Sequence, residues 1–237
     1  MRTFIRILGL WCIVLAAVVT SAQAETGQFG LGLYGSVLQP VGTFKNWYST
    51  SPNGIAQLTY VVSPKTMAEV EFHYAKFKDV GLKDREFIWH NGSGVAQKSL
   101  VKSPNAKAKM WMGSLLVNGV RSFKADKPHG GVPYIAAGIG FYKYRHDVSG
   151  LIWPGQSGTA IKTDSQNMLQ PIKDYETALS MNVGLGAYFR TSAHFVVDMR
   201  VRWNVSMGQL RSFEDWGLLQ TFPLQSVNFM VGFKYLK

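Results

Sequence analysis

The sequence predicts an all-β fold, an eight-stranded antiparallel up-and-down transmembrane β-barrel. Three observations carry that expectation. Apolar and polar residues alternate with a period of two over most of the chain, a strand signature that helical periodicity does not produce. Short and long connections alternate strictly between the alternating segments, the layout of a barrel with tight turns at one end and loops at the other. Paired glycines (Gly30/Gly32, Gly138/Gly140, Gly184/Gly186) recur on the polar parity, as the packed interior of a narrow barrel requires.

The N-terminus follows a different rule. Arg2 and Arg6 lead into an apolar run at 7–19, and Ala22-x-Ala24 offers the small residues a signal peptidase needs. A signal peptide is therefore expected over 1–24, with 25–237 as one barrel domain. The apolar run is shorter than the roughly 18 residues that span a bilayer. It holds the only cysteine, Cys12, so the expected mature domain has neither disulfide nor thiolate chemistry. Trp11 stands where a lipoprotein signal needs a small residue, which argues against a lipid anchor.

The alternation is cleanest toward the C-terminus. Phe195, Val197, Met199, Val201 and Trp203 alternate with Val196, Asp198, Arg200, Arg202 and Asn204. Leu179 to Phe189 and Val227 to Tyr235 repeat the pattern. Four earlier segments follow it: Phe29, Leu31, Leu33 and Val37; Ala56, Leu58 and Tyr60; Val70, Phe72 and Tyr74; Ile135, Ile139 and Phe141. The fourth strand, at 107–123, is ambiguous because both parities are apolar; a bulge is one explanation. Short turns are expected near 63–66, 124–131 and 191–193, and long links at about 39–53, 79–105, 146–175 and 207–223. An even strand count lets the last strand pair with the first and leaves no edge.

Alternation alone does not say which face points outward, since a soluble barrel would bury the apolar set. The glycines on the polar parity favour the inverted arrangement, because glycine on a solvated face would only weaken the strands. The opposite parity is almost uncharged. Aromatics stand near strand ends (Phe29, Tyr74, Trp111, Phe141, Phe189, Trp203, Tyr235), as in the belts that mark bilayer interfaces.

Two motifs carry a resemblance. Leu115-Leu116-Val117-Asn118-Gly119-Val120-Arg121-Ser122-Phe123, followed by Pro133-Tyr134-Ile135-Ala136-Ala137-Gly138-Ile139-Gly140-Phe141, resembles the OmpA-like outer-membrane β-barrel superfamily. In that family an L-x-N-x-x-Y-x-F strand precedes a P-Y-x-G-x-G-x-G-x partner; here Arg121 or Ser122 stands where an aromatic is usual. The resemblance implies an outer-membrane location. The last strand, with Phe229, Val231, Phe233 and Tyr235, resembles the C-terminal signal read by the barrel-insertion machinery, which is thus an expected partner.

Interior parity collects Glu69, Glu71 and His73 on the third strand, Asp198, Arg200 and Arg202 on the seventh, and Arg190 and Lys234 nearer the turn end. Charges in a narrow lumen must pair, because desolvating an unpaired ion costs several kcal/mol. This network reads either as a plug or as a gate whose alternative pairings open a narrow path. The chain carries a net charge of +11, about +9 without Arg2 and Arg6. With an export signal, that balance points to anionic headgroups rather than nucleic acid, or to solvated loop lysines. The second long loop holds Lys83, Arg85, Trp89, Lys98 and Lys102, candidates for contact with lipopolysaccharide phosphates.

Enzymatic readings find little support. Barrels resembling this one include lipid A acylases and deacylases, which place Ser, His and an acid near the outer leaflet. His129 and His194 map to turns, His90 and His146 to loops, and no serine can be assigned to face His73. No metal or cofactor motif is present. The expected role is structural or surface-interacting, with a narrow porin and a lipid A-modifying enzyme as the alternatives.

Overall fold

The computed structural model describes residues 26–84, 86–90, 98–124, 130–152, 169, 171–192, 194–210 and 221–237; the expected signal segment lies outside them. Eight strands close into one antiparallel barrel: β1 (Phe29–Val41), β2 (Ser51–Ser63), β3 (Thr66–Lys78), β6 (Lys107–Ser122), β7 (Gly131–Ser149), β8 (Ile172–Arg190), β9 (Phe195–Ser206) and β10 (Leu224–Leu236). A separate hairpin, β4 (Glu86–His90) with β5 (Lys98–Lys102), stands in the second long link. Round the barrel the order is β1-β10-β9-β8-β7-β6-β3-β2, so every connection joins neighbours. The seam is sealed by β1 against β10, and Lys237 extends it by exchanging hydrogen bonds with Phe29 at 2.7 and 3.0 Å. No barrel strand is left with an open edge.

The stagger follows from the register. The pairing Gly30–Thr59–Glu69–Asn118–Gly138–Asn182–Asn204–Ser226 returns to β1 at Pro40, ten residues beyond its start. Such a shear tilts the strands by about 40°. It also fixes a lumen that side chains fill.

Exposure settles which parity faces out. Leu33 is 70% exposed and Ile139 65%, whereas Glu69, Glu71, Asp198 and Arg202 are each 0% exposed. A barrel folding in water would show the reverse. At the turn end the outward face carries Phe29, Tyr60, Phe123, Phe189, Phe195 and Tyr235, two pairs of which pack at ring centroids 4.8 and 5.3 Å apart. From Arg121 to Trp111, ten residues of β6 climb about 25 Å at ~3.3 Å per residue and this tilt, the height of a lipid-facing apolar band.

The expected bulge at 107–123 is corrected. β6 pairs in unbroken register with both β3 and β7. Its inward residues Met110, Met112, Leu116 and Val120 are apolar because they line the upper and lower layers of the core, while Leu115 and Val117 face out. The irregularity lies instead between β2 and β3, at Val61/Ser63. Two link boundaries also shift. β7 runs on to Ser149 and β8 begins at Ile172, and β4–β5 occupies part of 79–105.

Candidate functional site

The lumen is layered along its axis. At the turn end Val61, Met67, Val120, Val132, Tyr134, Tyr188, Val196 and Leu236 form an apolar floor. Above it, β3 and β9 project charged residues toward each other. Three strands separate them in either direction round the barrel, so their ion pairs cross the full diameter.

Those pairs form one connected cluster. Arg200 reaches Glu69 Oε2 and Glu71 Oε1, each at 2.9 Å, and Asp198 Oδ2 at 3.2 Å. Arg202 forks onto Glu71 through Nη1 to Oε2 at 2.5 Å and Nη2 to Oε1 at 2.7 Å. The ammonium of Lys234 bridges Glu69 at 2.7 Å and Asp198 at 2.9 Å. Tyr34 and Tyr134 donate their hydroxyl protons to Asp198 at 2.9 and 2.5 Å, and Arg200 Nε donates to the Tyr134 oxygen at 2.7 Å. His73 Nε2 donates to Glu71 at 2.7 Å. Three carboxylates thus meet three cations, and His73 adds a further hydrogen bond to Glu71. Each ion lies within hydrogen-bond distance of an opposite charge, which offsets part of the cost of burying it, while Arg202 Nε finds no hydrogen-bond partner among the described residues.

Over this layer stand Asn53, Asn182, Asn204 and Asn228, all buried and uncharged. Above them lies an apolar cap. The first long link folds inward as a short 3-10 turn at Phe44–Asn46, placing Phe44, Trp47 and Tyr48 against Phe77, Leu82, Leu151, Leu210 and Leu224. Trp47 and Tyr48 are each 1% exposed, and the indole N–H of Trp47 donates to Thr221 Oγ1 at 2.7 Å. Burial pushes the Tyr48 hydroxyl well above its ordinary value, with Asp147 and Asp79 adding to the effect; the cap carries no phenolate. Trp153, Phe213 and Trp216, further aromatics of the long links, lie outside the described residues.

The structure brings together seven of the eight interior residues read from the sequence: Glu69, Glu71, His73, Asp198, Arg200, Arg202 and Lys234. Arg190 shares their inward parity but lies on the floor side, in register with Val196. Sequence reasoning missed Tyr34 and Tyr134, whose hydroxyls complete the shell of Asp198; both stand on the inward parity, where a tyrosine signals a buried donor. Of the basic candidates in the second loop, Lys83 and Lys102 are exposed, and Lys102 approaches Glu86 at 3.9 Å. Arg85 and the side chains of Trp89 and Lys98 lie outside the described residues.

The histidines are also relocated in part. His146 is not in a loop but on the inward face of β7, with Nε2 3.2 Å from Asp174 across the β7–β8 pair. Its strand continues above the apolar band, where outward Lys143, Arg145 and Asp147 replace the apolar parity and hide the alternation. Ser114 stands in register with His73, yet His73 spends Nε2 on Glu71 and turns Nδ1 toward the Asn53 amide at 3.4 Å. Among the described residues no group of acids, histidines and cysteines could hold a metal ion.

Fold and lumen together define a closed eight-stranded barrel with an apolar exterior and an ion-paired interior. No family model matches the chain, and no curated protein does. Solved structures similar to it include neisserial surface protein A, at 11% identity over 88% of this chain and 98% of that one, with a TM-score of 0.48. A major outer membrane protein of Thermus thermophilus matches at 10% identity over 90% and 100%, with a TM-score of 0.47. Ail, the attachment invasion locus protein of Yersinia pestis, matches at 13% identity over 90% and 100%, with a TM-score of 0.42.

Proposed function

We propose that the chain is exported by its N-terminal signal and inserted into a bacterial outer membrane. There it acts as a plugged, non-enzymatic scaffold for envelope integrity or surface interaction. The observation that carries this reading is the pairing of an outward apolar band with a charge-balanced cluster spanning the lumen. Short turns would then face the periplasm and long links the exterior. The barrel-insertion machinery and outer-leaflet lipopolysaccharide are the proposed partners, with Lys83 and Lys102 on the exterior side.

The reading of a plug is supported by Arg200, Arg202 and Lys234 crossing the lumen in ion pairs with Glu69, Glu71 and Asp198, and by the Trp47 cap above them. Purified protein in planar bilayers is therefore expected to give no stable conductance steps. Reproducible single-channel steps would replace the plug with a gate or a narrow porin. The non-enzymatic part has its own test. Lipid A from a deletion strain is expected to keep its acylation pattern by mass spectrometry, and a changed pattern would assign the barrel a lipid-modifying activity.

A further inference from the structure

One outward patch does not belong to the apolar band. At the loop end, four adjacent strands place Lys76 (β3), Trp111 (β6), Arg145 (β7) and Tyr175 (β8) in direct register. The row alternates cation and ring. Lys76 Nζ lies 5.4 Å from the Trp111 ring, and the Arg145 guanidinium lies 5.0 Å from Trp111 and 5.3 Å from Tyr175. Asp147 grips Arg145 through two hydrogen bonds of 2.9 Å, which fixes the guanidinium between the rings while other N–H groups remain available.

Further cations frame this row. Lys78, Lys107, Lys109, Lys143 and Lys173 are all exposed on the same four strands. Immediately below, Gly113 interrupts the wall of side chains, and a groove of about 460 Å³ opens between Trp111, Leu115, Phe72, Tyr74 and Phe141. Positive charge thus sits directly above an apolar slot, with aromatic rings at the junction.

We propose that this wall binds a phosphorylated lipid of the outer leaflet, phosphate held by Lys76, Lys143 and Arg145 and one acyl chain lying in the groove over Gly113. This rests on the membrane reading above. Charge complementarity selects an anionic headgroup, and the groove selects a lipid over a free anion. Each basic residue near a membrane surface adds to the attraction for anionic lipid, while an aromatic at headgroup level suits an interface with one wet and one apolar side.

The test uses the full barrel in phosphatidylcholine nanodiscs doped with bisphosphorylated lipid A or with the same lipid stripped of phosphate, and native mass spectrometry counts retained lipid. Wild type is expected to retain the phosphorylated form and not the stripped one, and excess inorganic phosphate is not expected to displace it. The triple substitution Lys76→Gln, Lys143→Gln and Arg145→Gln is expected to lower retention about tenfold to a hundredfold. Gly113→Leu, which fills the groove without touching charge, is also expected to lower it, and Arg145→Lys to preserve most of it. Equal retention of stripped lipid, displacement by inorganic phosphate, or an unchanged triple variant would overturn the site. Heat-modifiable migration checks the fold of each variant. Loss of that shift in wild type would instead overturn the membrane reading.

Discussion

Replacing Glu71 by glutamine is expected to destabilise the barrel by about 3–5 kcal/mol, because it leaves buried arginine charge without its anion. Glu71 is fully buried and is the common acceptor for Arg200, Arg202 and His73. Glutamine keeps the volume but removes the charge and turns one acceptor oxygen into an NH2 donor facing arginine, so the loss reports electrostatics and hydrogen bonding rather than a cavity. Denaturant titration of the refolded barrel in lipid vesicles, read by its heat-modifiable band, measures the effect. A second substitution sharpens the reading. Arg202→Met in the Glu71→Gln background leaves Arg200 and Lys234 facing Glu69 and Asp198, a balanced set. The double variant is therefore expected to be more stable than the single one. If Glu71→Gln costs no more than an exposed surface change, within about 0.5 kcal/mol, the cluster is not what holds the lumen together.

Gly140→Val is expected to prevent barrel closure. A β-carbon at Gly140 would collide with the Leu115 carbonyl oxygen and lie 2.8 Å from Leu116 Cα, both backbone atoms of the paired strand β6. No rotamer change relieves a clash with a neighbouring main chain. Overpacking a core costs about 1–3 kcal/mol when side chains can shift, and more when they cannot. The protein is expected to accumulate without a heat-modifiable band. Gly119→Ala supplies the control. Gly119 faces outward on β6 with nothing within 4 Å of a β-carbon, so its stability should stay within about 0.5 kcal/mol of wild type. Comparable behaviour of the two variants would show that the β6–β7 spacing is wrong.

The legibility of this fold in the sequence has a physical boundary. Strands β8, β9 and β10 are readable because period-two alternation survives wherever one face meets an apolar band and the other a polar lumen. That contrast disappears at both ends of the lumen. On β6, inward Met110 and Met112 belong to the apolar cap, so both parities look alike. Phe87, Ile88 and Trp89 are consecutive in β4, which conceals a five-residue strand. The interior charges can be grouped by parity, but their pairing cannot be read that way. Lys234 and Glu69 are 165 residues apart, and Arg202 and Glu71 are separated by 131; such contacts depend on which strands oppose one another across the closed ring. The row from Lys76 to Tyr175 needs the register of four strands joined by links of unequal length. Sequence reasoning therefore seeks lipid contacts in the loop at 79–105, while the wall places aromatics and cations in direct alignment.

A closed barrel that presents its apolar parity to lipid and its ion pairs to the lumen has a distinctive behaviour in detergent. Outer-membrane fractionation combined with gel migration of boiled and unboiled samples tests for it most directly. The expected result is a protein confined to the outer-membrane fraction that migrates faster unboiled than boiled, because the hydrogen-bonded barrel resists detergent until heated. A soluble periplasmic protein with no shift on heating would contradict it.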